Sequence, residues 1–166
     1  DVAILPTREG ERSDARFAET APYAVAVADY YGKAVHIYLH GVSLFHEPHC
    51  ERIGELGAKR RGRASALDRP SGLAVEVSGG DWARLLVAET GGMCVSVFHV
   101  WHERPKTGLA NRVAYCSRHL CDIGVEQLGS GLHAPMRGEW GWLGVARMPN
   151  GDVVVSDCDH DSVLIL

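Results

Sequence analysis

Three segments of this chain repeat one pattern, and that repetition limits the possible folds more than any other property. Val27-Ala28-Asp29-Tyr30-Tyr31-Gly32 precedes Val35-His36-Ile37-Tyr38. Leu86-Val87-Ala88-Glu89-Thr90-Gly91-Gly92 precedes Val95-Ser96-Val97-Phe98. Val155-Ser156-Asp157-Cys158-Asp159-His160 precedes Val163-Leu164-Ile165-Leu166. Each reads as a strand, an acidic turn and a second strand. A chain with such a period is built from units that stack on their neighbours.

The units extend beyond these hairpins. Pro70-Ser71-Gly72-Leu73-Ala74-Val75 lies upstream of the second copy, and Trp140-Gly141-Trp142-Leu143-Gly144-Val145 lies at the matching place before the third. Val2-Ala3-Ile4-Leu5-Pro6 resembles Val145-Ala146-Arg147-Met148-Pro149, while Gly80-Asp81 and Gly151-Asp152 read as turns between strands. Arg52-Ile53-Gly54 and Asp122-Ile123-Gly124 form a further match. A full unit is therefore expected to hold four short strands: an apolar first, a Val-rich second, a Val-x-Val-aromatic third and an Ile-Gly fourth.

No stretch shows sustained helical periodicity with caps, so the chain is expected to be all-β. One antiparallel sheet cannot bury both of its faces. Val25, Val27, Val35 and Ile37, like Val75, Val87, Val95 and Val97, require a sheet laid over them. Burying each such side chain contributes roughly 1.5–3 kcal/mol, so stacking is the expected source of stability. The segments His40 to Cys50 and His99 to Arg118 read as loops inserted before the fourth strands, although His99-Val100-Trp101-His102, directly after Phe98, also reads as a continuation of the third strand.

The run Pro-x-Gly-Leu-Ala-Val, then Leu-Val-Ala-Glu-Thr-Gly-Gly, then Val-Ser-Val-Phe resembles the NHL repeat, best between Arg52 and Phe98. The resemblance implies a β-propeller of antiparallel four-stranded blades around a central channel. On that reading the chain is one partial propeller of about two and a half blades. The blades span about 2–57, 70–129 and, incompletely, 140–166. The copies stand roughly 60 to 70 positions apart, longer than the about 40 to 45 of comparable blades, which implies inserted loops. The expectation is a fragment whose remaining blades belong to a longer parent chain; a short array completed by oligomerisation is the alternative.

The formal net charge of −4 over 166 residues gives no broad nucleic-acid footprint. No run approaches the roughly 18 apolar residues of a spanning helix, and no membrane partner is expected. The five cysteines, Cys50, Cys94, Cys116, Cys121 and Cys158, are an odd set without regular pairing. They fit reduced thiols and a cytoplasmic location better than a disulfide framework.

Three constellations carry candidate chemistry. Asp29, Glu89 and Asp157 recur at one place in each unit; they can cap the turn that follows or, as a ring, hold a cation, and the turn after each one favours capping. His46, His49 and Cys50, with Cys116, His119 and Cys121, offer zinc-type ligands but lack paired Cys-x-x-Cys spacing. Aligned on Ile53 and Ile123, His46 matches Cys116 and His49 matches His119. Lys59, Arg60, Arg61 and Arg63 form the one basic cluster, a candidate contact for single-stranded RNA or a solvated inter-blade loop.

No Gly-x-Ser-x-Gly elbow or P-loop is present, and no catalytic residue is assigned. The expected function is a non-catalytic platform for a protein partner. The family resemblance implies a setting such as the substrate-recognition part of a ubiquitin ligase, or a scaffold. RNA binding through the basic loop is the second reading. The third is a metal-dependent propeller lyase or hydrolase, which the resemblance implies would carry zinc.

Overall fold

The computed structural model describes residues 1–5, 23–42, 48–57, 67–77, 82–92, 94–103, 114–124, 142–158 and 161–166. Among the described residues every regular element is a β-strand. Strands β1 (Val2–Leu5), β2 (Tyr23–Asp29), β3 (Ala34–Val42) and β4 (Pro48–Leu56) form a first antiparallel sheet in chain order. Strands β5 (Pro70–Val77), β6 (Trp82–Glu89), β7 (Cys94–Glu103) and β8 (Ala114–Gly124) form a second of the same kind. Strands β9 (Trp142–Arg147), β10 (Val153–Asp157) and β11 (Ser162–Ile165) form a three-stranded third sheet. None of the three closes on itself.

The second sheet lies between the other two, and its residue pattern explains why. Leu85, Val87, Phe98, Val100 and Tyr115 share a core with Ala24, Ala26, Val35, Ile37 and Leu56 of the first sheet. The alternate residues Leu86, Ala88 and Val95 share another with Val153 and Val155 of the third. Strand β6 is therefore an unbroken apolar run from Leu85 to Ala88, as a strand covered on both sides requires. Strand β10 instead alternates buried and less buried positions, with Val153, Val155 and Asp157 turned toward the second sheet. The outermost faces are apolar and open: Val2 and Ile4 are exposed on the first sheet, Val163 and Ile165 on the third. Val35 and Ile37 are buried, whereas Val25 and Val27 lie on the open side of the first sheet and are only half-buried.

Two sequence expectations are corrected. The segments read as inserted loops are largely strand where described: β3 runs on to Val42 and β4 begins at Pro48, while β7 runs to Glu103 and β8 begins at Ala114. The reason is continued cross-strand pairing, with His40 opposite Cys50 and Trp101 opposite Cys116. The fourth-strand alignment also changes. Both sheets carry an irregularity at the same place, between Ile37 and Tyr38 and between Val97 and Phe98. There the unpaired residues are Ile53 and Leu120, so Ile53 corresponds to Leu120 and not to Ile123. Leu56 and Ile123 are the true counterparts, opposite Val35 and Val95. Consequently His49 corresponds to Cys116, and His119 corresponds to Arg52.

Candidate functional site

The shared register places one polar position at the same point in each four-stranded sheet. His36 in β3 lies opposite Glu55 of β4, and Asp29 closes the adjoining strand β2. Ser96 in β7 lies opposite Asp122 of β8, and Glu89 closes β6. Each sheet thus sets a central polar residue between two carboxylates. In the third sheet Asp157 occupies the acidic position, and Leu164 stands where His36 and Ser96 stand in the others.

In the first sheet this arrangement faces outward. His36 Nε2 is 3.5 Å from Asp29 Oδ2, and its Nδ1 is 3.5 Å from Glu55 Oε2. Arg52 Nη1 reaches the same Glu55 oxygen at 3.4 Å. Asp29 also caps its turn: the Gly32 N–H donates to Asp29 Oδ1 at 2.7 Å. A Cβ at Gly32 would run into that carboxylate, so a larger residue there would displace the Asp29 side chain from its cap. The Gly32 N–H, chiefly, and the neighbouring His36 hold the Asp29 carboxyl below its ordinary range.

In the second sheet the arrangement is covered by the first. Glu89 is 2% exposed and Ser96 is fully buried. Glu89 is one methylene longer than Asp29. Its longer side chain turns to the start of the unit, where Oε2 accepts the Asp68 N–H at 2.6 Å. Its other oxygen meets the Ser96 hydroxyl. Ser96 Oγ also lies 2.7 Å from Asp122 Oδ1, and His119 Nε2 lies 2.8 Å from that same oxygen. Cys94 Sγ joins this group: a ligand atom from each of Glu89, Cys94 and Asp122 falls within 4.8 Å of the other two.

The turn ends of the first two sheets are joined. Lys33 Nζ pairs with Asp68 Oδ1 at 3.0 Å, and the Asp68 carbonyl accepts the Gly91 N–H at 3.1 Å. Beside them Tyr31 is 91% exposed, with its ring edge-on to Tyr30 at a centroid separation of 5.1 Å.

Among the residues singled out for metal binding whose side chains are described, only His119 reaches the cluster. Cys116 and Cys121 pair with Trp101 and Val97, on the opposite side of β8 from Asp122. Cys50 is exposed in β4, opposite His40. His49 is a strand residue of β4, and His46 lies outside the described residues, as do Lys59, Arg60, Arg61 and Arg63. Sequence reasoning passed over Cys94, Ser96 and Asp122. The signal was present: the middle residue of the Val-x-Val element is polar in two of the three copies.

A serine, a histidine and an aspartate in contact suggest nucleophilic catalysis, and the geometry opposes it. Ser96 bonds to the carboxylate rather than to the imidazole, and no substrate can reach a hydroxyl with no exposed surface. Comparison with protein-family models, curated proteins and solved structures gives no match.

Proposed function

We propose that the chain is a non-catalytic platform, propeller-like and of NHL type, that binds a protein partner through the rim formed by its turn ends. Two features support the propeller reading: the stacked sheets repeat one register, and the same face relationship joins the first sheet to the second and the second to the third. The reading of the rim rests on Tyr31. A side chain 91% exposed on a turn fixed by the Asp29 cap is a preorganised aromatic anchor. Tyrosine in this position supplies large contact area with little ordering cost, as in the energetic centres of protein interfaces. A ligase or scaffold setting is the context that the repeat resemblance adds.

The test is to place a photo-crosslinking amino acid at Tyr30, identify the protein captured, and measure its affinity with purified components. Tyr31→Ala is expected to weaken that complex about tenfold or more while leaving the circular dichroism spectrum unchanged. A partner indifferent to Tyr31→Ala overturns the proposal. So does tight, salt-sensitive binding of single-stranded RNA that Arg60→Glu with Arg61→Glu abolishes, which would return the function to the basic loop.

A further inference from the structure

Strand β11 borders the third sheet, yet it has the composition of a covered strand. Among the described residues no strand pairs with its outer side. Leu166 and Val153 exchange both backbone hydrogen bonds, at 2.7 and 3.0 Å. Alternation along the ladder then aims the N–H and C=O groups of Val163 and Ile165 away from β10. The matching residues are Val35 and Ile37 in β3 and Val95 and Val97 in β7, and there β4 and β8 pair with them. Strands that do end a sheet are marked against further pairing. Strand β4 carries Glu51, Arg52 and Glu55, β8 carries Arg118, His119 and Asp122, and each holds an unpaired residue. Strand β11 reads Ser-Val-Leu-Ile, uncharged and regular in its pairing.

The space beside β11 has a floor. Strand β4 packs over β8, and a Cβ at Gly54 would stand 3.2 Å from the Tyr115 Cβ. Under that cover Leu56 is 1% exposed. On β8, Ile123 and Cys121 hold the places of Leu56 and Gly54 and face the third sheet, but Ile123 is only half-buried and Cys121 is exposed. Ile123 belongs to the same apolar cluster as Leu164 and Leu166 of β11. We propose that the edge of β11 and the floor of Ile123 and Cys121 form a slot for one extended segment of a partner protein, bound antiparallel as a fourth strand. Main-chain bonds to Val163 and Ile165 give affinity, and alternate side chains give selectivity. The residue opposite Val163 is aliphatic, as Leu56 and Ile123 are opposite Val35 and Val95. The residue opposite Leu164 faces the floor. There β4 and β8 set Glu55 and Asp122 opposite His36 and Ser96, but a leucine offers a carboxylate no hydrogen bond, so an apolar side chain is required. A second copy pairing through its own β11 would drive its second sheet into β8, which leaves a single strand as the occupant.

The test uses the 166-residue chain and a synthetic peptide of its own residues 51–57, which contain the Gly-Glu-Leu of β4. In the register of β4, Leu56 of the peptide meets Val163 and Glu55 meets Leu164. At saturation the peptide carrying Glu55→Val is expected to slow amide exchange at Val163 and Ile165 about tenfold or more. It should also slow alkylation of Cys121 but not of Cys50, which is exposed on β4. The unaltered peptide should bind at least about fivefold more weakly. Val163→Pro in the protein removes an outward N–H and leaves the β10 ladder intact, so it should abolish the protection, whereas Val163→Thr should keep it. Should Val163→Pro not fold, protection of Cys121 in the wild-type chain and its dependence on residue 55 of the peptide decide. Equal binding of the two peptides, no protection by either, or protection that survives Val163→Pro overturns the proposal. So does slow exchange at Val163 and Ile165 without peptide, which would mean that the chain covers its own edge. Concentration-dependent dimerisation that protects these amides overturns it as well, by making the occupant a second copy.

Discussion

The first and second sheets hold the same polar device in the same register, and they use it differently. Asp29, His36 and Glu55 sit on an open face; Glu89, Ser96 and Asp122 sit under a neighbouring sheet. Where the flanking carboxylates meet water, the central residue is a large imidazole, itself mostly buried, 3.5 Å from each of them. Where water cannot reach, it is a small hydroxyl with hydrogen bonds made on both sides. Exposed charges at such distances need no further satisfaction, because solvent supplies it. A buried carboxylate must find its partners inside the protein. The fold thus sets position, and the neighbouring sheet sets the chemistry allowed there.

The largest test of this contrast is apolar. Leu85 and Val25 hold matching places in β6 and β2, each two residues before a matching valine, yet Leu85 is fully buried and Val25 lies on the open face. Leu85→Ala is expected to lower unfolding stability by about 2–5 kcal/mol. Val25→Ala should cost less than about 1 kcal/mol, because part of that side chain already meets solvent. Urea denaturation measures both. Equal losses at the two positions would mean that the open face is covered in solution.

Next in size is the pair of turn carboxylates. Glu89→Ala removes the acceptor for the Asp68 N–H and a partner of buried Ser96, which should cost about 1–3 kcal/mol. Asp29→Ala should cost less, since its cap lies in solvent, and its cost should depend on pH. The Asp29 carboxyl titrates below its ordinary value in the folded chain. Its stabilising effect is therefore present above the ordinary aspartate value of about 3.9 and is lost as pH falls through the lower folded value. The stability difference between wild type and Asp29→Ala, followed by denaturation at a series of pH values, should shrink toward zero in acid. A difference that persists there would mean the cap acts through packing rather than charge.

How far the sequence showed all this depends on what each signal was made of. The all-β class and the chain order of strands were legible because turn residues and alternating valines report local backbone preference. Strand length was legible only in part: His99-Val100-Trp101-His102 reads as a continued strand, but β8 begins at Ala114 through residues such as Cys116 and Ser117 that carry no strand signal alone. The fourth-strand match failed for a related reason. Ile53-Gly54 and Ile123-Gly124 look alike as letters, but an unpaired residue in each sheet moves the register so that Ile53 answers to Leu120. Cys94, Ser96 and Asp122 come together only through that register and through the burial the first sheet imposes. Neither is written in spacing along the chain.

The smallest effect is the most discriminating. His36→Ser places in the first sheet the residue that the second sheet uses at the matching position. The exchange removes two contacts at 3.5 Å, to carboxylates that are each 42% exposed. Such pairs contribute little once water competes, so the change in stability is expected to stay within about 0.5 kcal/mol. The new hydroxyl should gain nothing from lying between two carboxylates, because each is already solvated. A gain above about 1 kcal/mol would show instead that the carboxylate pair organises its centre even in the open, and that burial is not what makes the Ser96 arrangement work.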